Sequence, residues 1–239
     1  MDVDLHGPSV AGMLGFMDKH VQVEGEKLIP FRYSDHLEFL SAQGFLAQQD
    51  DALIWRGPLK VGAIRQFMSD TKWDPLDYLI IDCPPGTGDE PLTVVQTIKD
   101  AEAIIVTTPQ KVALADVRKS LSFCQLGHIP VRGIIENMSG FVCPHCGQEV
   151  DIFKAGGGKA LAEEKGLPFL GAGSPSIPRW WPPKTKAIPW KTSVKPAGRR
   201  WMPLWIKWWN RISKKKGAVA CATAPSISND SVTYVIKVR

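Results

Sequence analysis

The segment Leu76–Glu90, LDYLIIDCPPGTGDE, constrains the fold of this chain more than any other stretch. Its first six residues, Leu76–Ile81, are mostly apolar, which predicts a strand buried on both faces of a parallel sheet. Asp82 follows the strand, and a loop rich in proline and glycine comes next. Such a loop stays open, and its backbone N–H groups can face a ligand. The pattern therefore predicts an α/β sheet with a candidate ligand-binding edge at Asp82.

The residue types at this edge suit a phosphate ligand with a bound metal. Ligands of doubly wound sheets lie outside the carboxyl ends of the strands. The Asp82 carboxylate suits a magnesium ion and its waters, and Gly86 lets a terminal phosphate approach without a side chain in the way. A buried strand followed by an ordinary polar turn is the alternative, and this short pattern alone does not separate the two.

Apolar strands and amphipathic helices alternate along the rest of the first 171 residues. Ala103–Thr108 and Pro130–Ile135 read as two further buried strands, and Ala113–Leu126 has apolar residues at helical spacing. A further helix is expected within Ile54–Met68, where Pro58 suits the first turn. This alternation predicts a mainly parallel sheet with right-handed crossovers and helices on its faces.

Two of the five cysteines, Cys143 and Cys146, form a CxxC pair in the string FVCPHCG. This usage suggests a reducing compartment and a metal site rather than a disulfide framework. Two thiolates on a tight turn can reach one metal, but they do not complete a tetrahedral thiolate site. Cys83, Cys124 and Cys221 are not obvious additional ligands. A redox disulfide, a zinc site completed by other residues and a site shared between two copies of the chain all remain open.

The net charge of +5 is unevenly distributed along the 239 residues. The segment Ser174–Arg239 has 14 Lys and Arg residues and only Asp230 as an acidic residue, and seven of the nine tryptophans follow Arg179. A change of composition of this kind marks a boundary, so we predict a domain over 1–171 and a basic, Trp- and Pro-rich tail over 172–239. No apolar run reaches membrane-spanning length and no signal peptide is visible, so we expect a cytoplasmic protein without a membrane partner.

Several strings together are similar to one known family. They are DCPPGTGDEPLT from Asp82, WRGP from Trp55, TTPQ from Thr107, ENMS from Glu136, and the cysteine segment with the DIF, GGG, LAEE and PFLG strings that follow it. The chain resembles the Mrp-type iron–sulfur cluster carriers, which are deviant P-loop ATPases. The resemblance covers Asp2 to Gly171, about seven tenths of the chain.

The resemblance implies a carrier that binds an iron–sulfur cluster and delivers it to apo iron–sulfur proteins, with ATP dependence in the full-length family. It identifies Cys143 and Cys146 as ligands of a [4Fe–4S] cluster that a homodimer shares by pooling two CxxC pairs. Soft thiolates suit iron, and a site accessible to solvent suits release. Zinc at the same cysteines remains the alternative.

The resemblance also implies roles in binding ATP and Mg²⁺. Asp2 and Asp4 match the first switch segment, with one carboxylate near the metal and one near the attacking water. Asp4 and Asp82 are the implied catalytic residues, and Asp2, Gly86 and Asn137 are the implied nucleotide-binding residues. An amide at Asn137 can read adenine because it has both a donor and an acceptor. The alternatives are a frayed polar terminus for Asp2 and Asp4, and a turn residue for Asn137.

One element of the family pattern does not occur in this sequence. No G-x-x-x-x-G-K-[ST] string is present, whereas the family carries GKGGVGKS a helix and a strand before the segment that Asp2 begins. That loop supplies the N–H cradle and the lysine for the phosphates. We therefore expect an N-terminal truncation that removes the first strand and the phosphate loop, and weak or absent ATP hydrolysis by this chain.

Two rival functions remain at this stage. The first is a partitioning-type regulatory ATPase of the same superfamily, which would need an amphipathic C-terminal helix and no cysteine pair. The second is a zinc-knuckle or nucleic-acid-binding protein that uses the basic tail. The tail itself suits an interfacial membrane segment or a basic-aromatic arm, and we expect no nucleic-acid partner except through it.

The tail also has the codon signature of a shifted reading frame. Since Trp and Met have one codon each, moving the frame back by one base makes Trp201-Met202-Pro203 encode Asp-Ala and places Asp at Trp205. The resulting peptide has apolar residues at i, i+4, i+7 and i+8, the pattern of an amphipathic helix. We infer that the chain leaves its ancestral frame near 172–174 and that the tail is disordered or irregular.

We predict that the DNA encoding residues 172–210 contains a family-like peptide in the neighbouring frame. The expected peptide restores a Leu-Asp-Pro string and an amphipathic helix, because those are the elements that follow Gly171 in the family. Sequencing this region in genomic DNA checks the prediction. A verified sequence without such a peptide in that frame would refute it.

Overall fold

The computed structural model describes residues 1–46, 55, 57–142, 146, 148–150, 154–172 and the backbone of 231–237. Its helices are α1 (Val10–Met13), α2 (Gly57–Ser69), α3 (Asp89–Thr97), α4 (Lys111–Leu126) and α5 (Gly157–Lys165). Its strands are β1 (Gln22–Glu24), β2 (Lys27–Ile29), β3 (Phe31–Ser34), β4 (Leu37–Phe39), β5 (Tyr78–Asp82), β6 (Glu102–Thr107), β7 (Val131–Glu136), β8 (Phe141–Val142), β9 (Glu149–Val150), β10 (Phe169–Ala172) and β11 (Ser231–Lys237).

The centre of the structure is a five-stranded sheet in the order β10-β7-β6-β11-β5. The pairs β10–β7 and β7–β6 are parallel, whereas β11 is antiparallel to both of its neighbours. The predicted α/β class with a parallel sheet and flanking helices is confirmed. The predicted strands and long helices agree with the observed ones to within about three residues, which is the usual error of boundaries read from patterns.

The strands are buried on both faces, which explains their continuous apolar sequences. Leu79, Ile81 and Ile105 belong to the main core cluster, while Ile80 and Ile104 form a second cluster on the opposite face. Successive side chains of a strand point to opposite faces, so a strand covered on both sides needs apolar residues at every position. The helix α4 contributes an apolar stripe to the main core, consisting of Val117, Leu121 and Cys124.

The strand β11 differs from the irregular tail that the composition predicts. Its backbone lies between β5 and β6, with Tyr234 opposite Ile81 on one side and Ala103 on the other. The string SVTYVIK is rich in β-branched and aromatic residues, which favour strands, and this local preference explains the difference. Residues 173–230 lie outside the described residues, so the boundary after residue 171 stays a prediction.

The first residues of the chain pack beside the end of β5 and are not frayed. The Asp82 N–H donates to the Met1 carbonyl, and the Val3 N–H donates to the Asp82 carbonyl, each at 2.9 Å. On the other side, the Asp2 N–H donates to the Leu40 carbonyl at 2.8 Å. Val3 is fully buried. This pairing extends the sheet at the end of β5, on the edge opposite β11.

The segment 16–46 folds largely as two short antiparallel hairpins, β1–β2 and β3–β4. An aromatic cluster lies beside the second hairpin, where the Phe16 and Phe39 rings meet edge to face with centroids 5.0 Å apart.

Among the described helices, none has the length and hydropathy that a membrane span requires.

We predict that Tyr234→Pro destabilises the protein by about 1–3 kcal/mol, because proline removes a ladder hydrogen bond from a strand flanked on both sides and leaves its acceptor unpaired. Urea unfolding followed by circular dichroism measures the effect. The matched control is Val23→Pro in the exposed hairpin strand β1, which should cost much less. Equal losses in the two variants would show that β11 does not stabilise the sheet.

Candidate functional site

The candidate site lies at the carboxyl ends of the parallel strands. Asp82 ends β5, the loop with Gly86 follows it, and Asn137 directly follows β7. Asp2 forms a parallel bridge to Asp82, so these two carboxylates belong to neighbouring backbone segments. Asn137 lies on the other side of β11 and β6, several strand spacings away. The sheet therefore aligns the predicted nucleotide residues along one edge without clustering them.

Asp2 is buried and its carboxylate is held by three donors. Its Oδ2 atom accepts from the Ser41 hydroxyl at 2.9 Å and from the Val10 N–H at 3.3 Å, and its Oδ1 atom accepts from the Asp4 N–H at 3.1 Å. Burial raises the pKa of Asp2 to about 6, although these three hydrogen bonds oppose the shift. Both oxygens serve the protein itself in this conformation, so Asp2 positions the segment from Asp4 to Val10.

Asp4 stabilises the turn that leads into α1. Its Oδ1 atom accepts from the Gly7 N–H at 3.0 Å and from the His6 N–H at 3.3 Å. A Cβ atom at Gly7 would lie in ordinary van der Waals contact with the Asp4 Oδ2 atom, at 3.7 Å. Asp4 is partly exposed, in contrast to Asp2, and so its carboxylate is the more accessible of the two.

The loop after Asp82 begins in the core and then turns towards solvent. Asp82 is buried and adjoins Cys83, whose thiol has a pKa well above its usual value because of burial first and of nearby carboxylates second. Gly86 has a φ of +92°, a conformation that disfavours a side chain, and no atom lies within 4 Å of the place a Cβ would occupy. Space for a ligand is therefore present beside the Gly86 backbone.

A largely buried ion pair that the sequence did not indicate anchors the far end of this loop. The Lys60 Nζ atom on α2 lies 2.7 Å from the Glu90 Oε1 atom at the start of α3, and their side chains are 15% and 6% exposed. Removing one partner of such a pair leaves a buried charge uncompensated. The pair joins residues 30 positions apart, and spacing along the chain carries no signal for a contact of that kind.

Asn137 is held by its neighbours at the end of β7. Its N–H donates to the Thr107 carbonyl at 2.6 Å, which ties the ends of β6 and β7 together. Its side-chain Oδ1 atom accepts from the Met138 N–H at 3.0 Å, and Met138 has a positive φ of 51°. The implied adenine-reading amide therefore lies on a fixed turn at the site edge.

The preceding residue, Glu136, is a second buried charge that sequence reasoning missed. It is 1% exposed and lies where β7 meets the start of α5. Its Oε1 atom accepts from the Ser139 hydroxyl at 2.6 Å and from the Gly156 N–H at 2.9 Å, and its Oε2 atom accepts from the Gly158 N–H. The ENMS string contains this residue, but the residue types of the sequence alone do not indicate which groups its carboxylate binds.

The cysteine segment is flanked by a short hairpin just beyond Glu136 and Asn137. The strands β8 and β9 pair antiparallel, with Val142 opposite Glu149, so residues 143–148 connect them. Cys146 lies in a turn, is exposed and is a free thiol. Cys143 lies outside the described residues. Within the residues that the structure describes, no group of three or more His, Cys, Asp or Glu could hold a metal ion.

Comparison with known proteins identifies a family. The family described as ParA, NUBPL iron-transfer P-loop NTPase, matches residues 1–178. An iron–sulfur cluster carrier protein of Methanocaldococcus jannaschii is 49% identical over 172 residues, or 72% of this chain. A cytosolic Fe-S cluster assembly factor Nubp2 homolog of Anopheles gambiae is 50% identical over 176 residues, also 72% of this chain.

A solved structure gives a consistent result. A nucleotide-binding protein of Archaeoglobus fulgidus in complex with ADP, with cobalt found in it, is 36% identical and superposes with a TM-score of 0.60. The match covers 73% of this chain and 68% of that one. The alignment spans only 59% of the length of the archaeal carrier and 68% of that of the mosquito protein.

We predict that Asp2 makes the protein less stable as the pH rises from about 4 to about 6. Its pKa is raised from 3.8 to about 6 in the folded state, so the folded protein keeps a proton that the unfolded chain has lost. The stabilisation is complete below pH 4 and is lost through pH 6, with a total of about 3 kcal/mol.

Urea unfolding of the parent and of Asp2→Asn at several pH values between 4 and 7 measures this effect. Other groups titrate in the same pH range and change the stability of both proteins equally. Their contribution cancels when the free energy of unfolding of Asp2→Asn is subtracted from that of the parent. The stability difference between the two proteins should change steadily across this window. A constant difference would contradict the assignment.

Proposed function

This chain belongs to the ParA/NUBPL family of iron-transfer P-loop NTPases, and on that premise we propose that it is an iron–sulfur cluster carrier. The cluster is its cargo, which it delivers to apo iron–sulfur proteins. The observation that carries the proposal is the CxxC segment in the β8–β9 connection, where Cys146 is exposed and free of any disulfide. Over 172 residues the chain is 49% identical to a protein named as such a carrier.

The ligand chemistry supports a site shared between two copies of the chain. Thiolates are the preferred ligands of iron–sulfur clusters, and a [4Fe–4S] cluster takes four of them. One chain supplies Cys143 and Cys146, and its other described cysteines, Cys83 and Cys124, are buried. Two copies related by a two-fold axis would supply four thiolates from identical segments. We therefore propose a homodimer with a [4Fe–4S] cluster between its cysteine segments.

We further propose that the strand-end edge binds a nucleotide with Mg²⁺. The relative solved with ADP supports this proposal, as does the open space beside Gly86. Asp82 and Asp4 are the carboxylates suited to Mg²⁺ and its waters, and Asn137 suits the adenine edge. Asp2 would contribute through the turn it fixes, since its oxygens already accept three protein hydrogen bonds.

Mg²⁺ would supply charge neutralisation for the phosphates of the bound nucleotide. The chain's own contribution is to hold the Asp82 carboxylate at the strand end and to present the Gly86 backbone without a side chain.

Two relatives are named as cytosolic assembly factors, and we propose the cytosol for this protein on that ground.

We predict that anaerobic reconstitution with iron and sulfide gives a coloured dimer with about two iron and two sulfide per chain, as one cubane per two chains requires. Cys143→Ser and Cys146→Ser should each abolish cluster binding, because each removes two of the four thiolates from the dimer. Iron and sulfide analysis, absorption spectra and size-exclusion chromatography provide the measurements.

The matched control is Cys221→Ser, which removes a thiol outside the proposed site and should leave the cluster content unchanged. A colourless monomer that binds zinc through Cys143 and Cys146 would favour the zinc-knuckle alternative and overturn the proposed carrier function. A disulfide between the two cysteines that resists reconstitution would overturn it as well.

A further inference from the structure

Glu136 makes three hydrogen bonds that hold together segments on both sides of the cysteine pair. Ser139, which donates its hydroxyl, precedes the pair, while Gly156 and Gly158, which donate their N–H groups, follow it. A single carboxylate therefore closes the base of the segment 139–158. Fully buried carboxylates need such partners, and a carboxylate that accepts several donors forms strong, directional hydrogen bonds.

The helix α5 depends on this carboxylate for its first turn. Its N-cap residue is Gly156, which has no side chain to cap the helix, and the Gly156 and Gly158 N–H groups point to Glu136 instead. A negative charge at the N-terminus of a helix also interacts favourably with the helix dipole. Glu136 on β7 thus provides the N-terminal cap of α5 that the residue at the N-cap position itself cannot provide.

The contact at position 158 is tight, and a side chain there would require its neighbours to shift by a few tenths of an ångström. A Cβ atom there would lie 3.1 Å from the Glu136 Cβ and Oε2 atoms and 3.1 Å from the Thr107 Cγ2 atom. Thr107 in turn accepts the Asn137 N–H through its carbonyl. The ends of β6 and β7 and the start of α5 therefore meet at one tightly packed point.

We propose that Glu136 is a positioning residue that fixes where the cysteine pair stands relative to the nucleotide edge. Its carboxylate holds Ser139 and the start of α5 against the end of β7, one residue from Asn137. The proposal rests on the proposed carrier function, because it concerns the segment that would bind the cluster. The hydrogen bond to Ser139 adds a contact before the cysteine pair to the two contacts at the start of α5.

The first test measures backbone hydrogen exchange in the apo form of the full chain. Glu136→Gln replaces one acceptor oxygen by an NH₂ group that faces the N–H and hydroxyl donors. Exchange in residues 139–142 and 154–160 should become on the order of tenfold faster, whereas α4 should keep its protection. The matched control is Glu164→Gln, the same change on α5 at the exposed pair with Arg118, which should leave residues 139–142 unchanged.

Two further variants keep the test decisive if Glu136→Gln does not fold. Ser139→Ala removes only the hydrogen bond that precedes the cysteines, and Gly158→Ala pushes α5 away from the carboxylate. Each should speed exchange in residues 139–142 more than in α4. Unchanged exchange at 139–142 in the folded variants, or a uniform increase throughout the chain, would overturn the positioning role.

The second test loads the same variants with iron and sulfide and follows cluster loss to an iron chelator. We expect the Glu136 and Ser139 variants to lose the cluster several-fold faster than the parent and the Glu164→Gln control. The two tests separate the hypotheses. If the parent binds no cluster, the carrier function fails, yet the exchange data still decide whether Glu136 holds the segment. If the parent binds a cluster and the variants release it at the parent rate with parent-like exchange, only the positioning role fails.

Discussion

The structure depends on backbone hydrogen bonding along both edges of β5. On one edge, residues 1–3 bond to Asp82, and on the other, β11 runs antiparallel to the whole strand. A buried strand whose N–H and C=O groups lacked partners would cost several kcal/mol, so the strand and its end are stable only when both edges are covered. The loop with Gly86 starts from this point.

Three buried carboxylates near the same edge show how the site stays ordered. Asp2 accepts a hydroxyl and two N–H groups, Glu90 pairs with Lys60, and Glu136 accepts a hydroxyl and two N–H groups. Most of the donors come from segments distant in sequence. Each carboxylate therefore joins one strand end or loop to another element, and these bonds limit how far the loops can move independently.

The sequence predicted the parts of the fold that depend on local pattern. Apolar runs identified β5, β6 and β7, and helical spacing identified α4, because burial on both faces or on one stripe dictates those patterns. The strand β11 was missed because the composition of the tail was taken as one unit, although SVTYVIK alone favours a strand. Lys60 and Glu136 were missed because their partners lie 30 and up to 22 positions away. No periodicity encodes such contacts, so only the folded structure could show them.

The end of β7 lies between the two proposed sites, which are the nucleotide-binding edge and the cysteine segment. Glu136 and Asn137 are consecutive residues, and the Asn137 N–H is bonded to Thr107, whose side chain borders Gly158. A displacement of Asn137 large enough to break this bond would disturb the packing that Glu136 needs to hold α5 and Ser139. Close-packed interiors transmit such displacements because they have little free volume to absorb them. A nucleotide that displaced Asn137 would therefore disturb the packing at the base of the cysteine segment through the bond to Thr107.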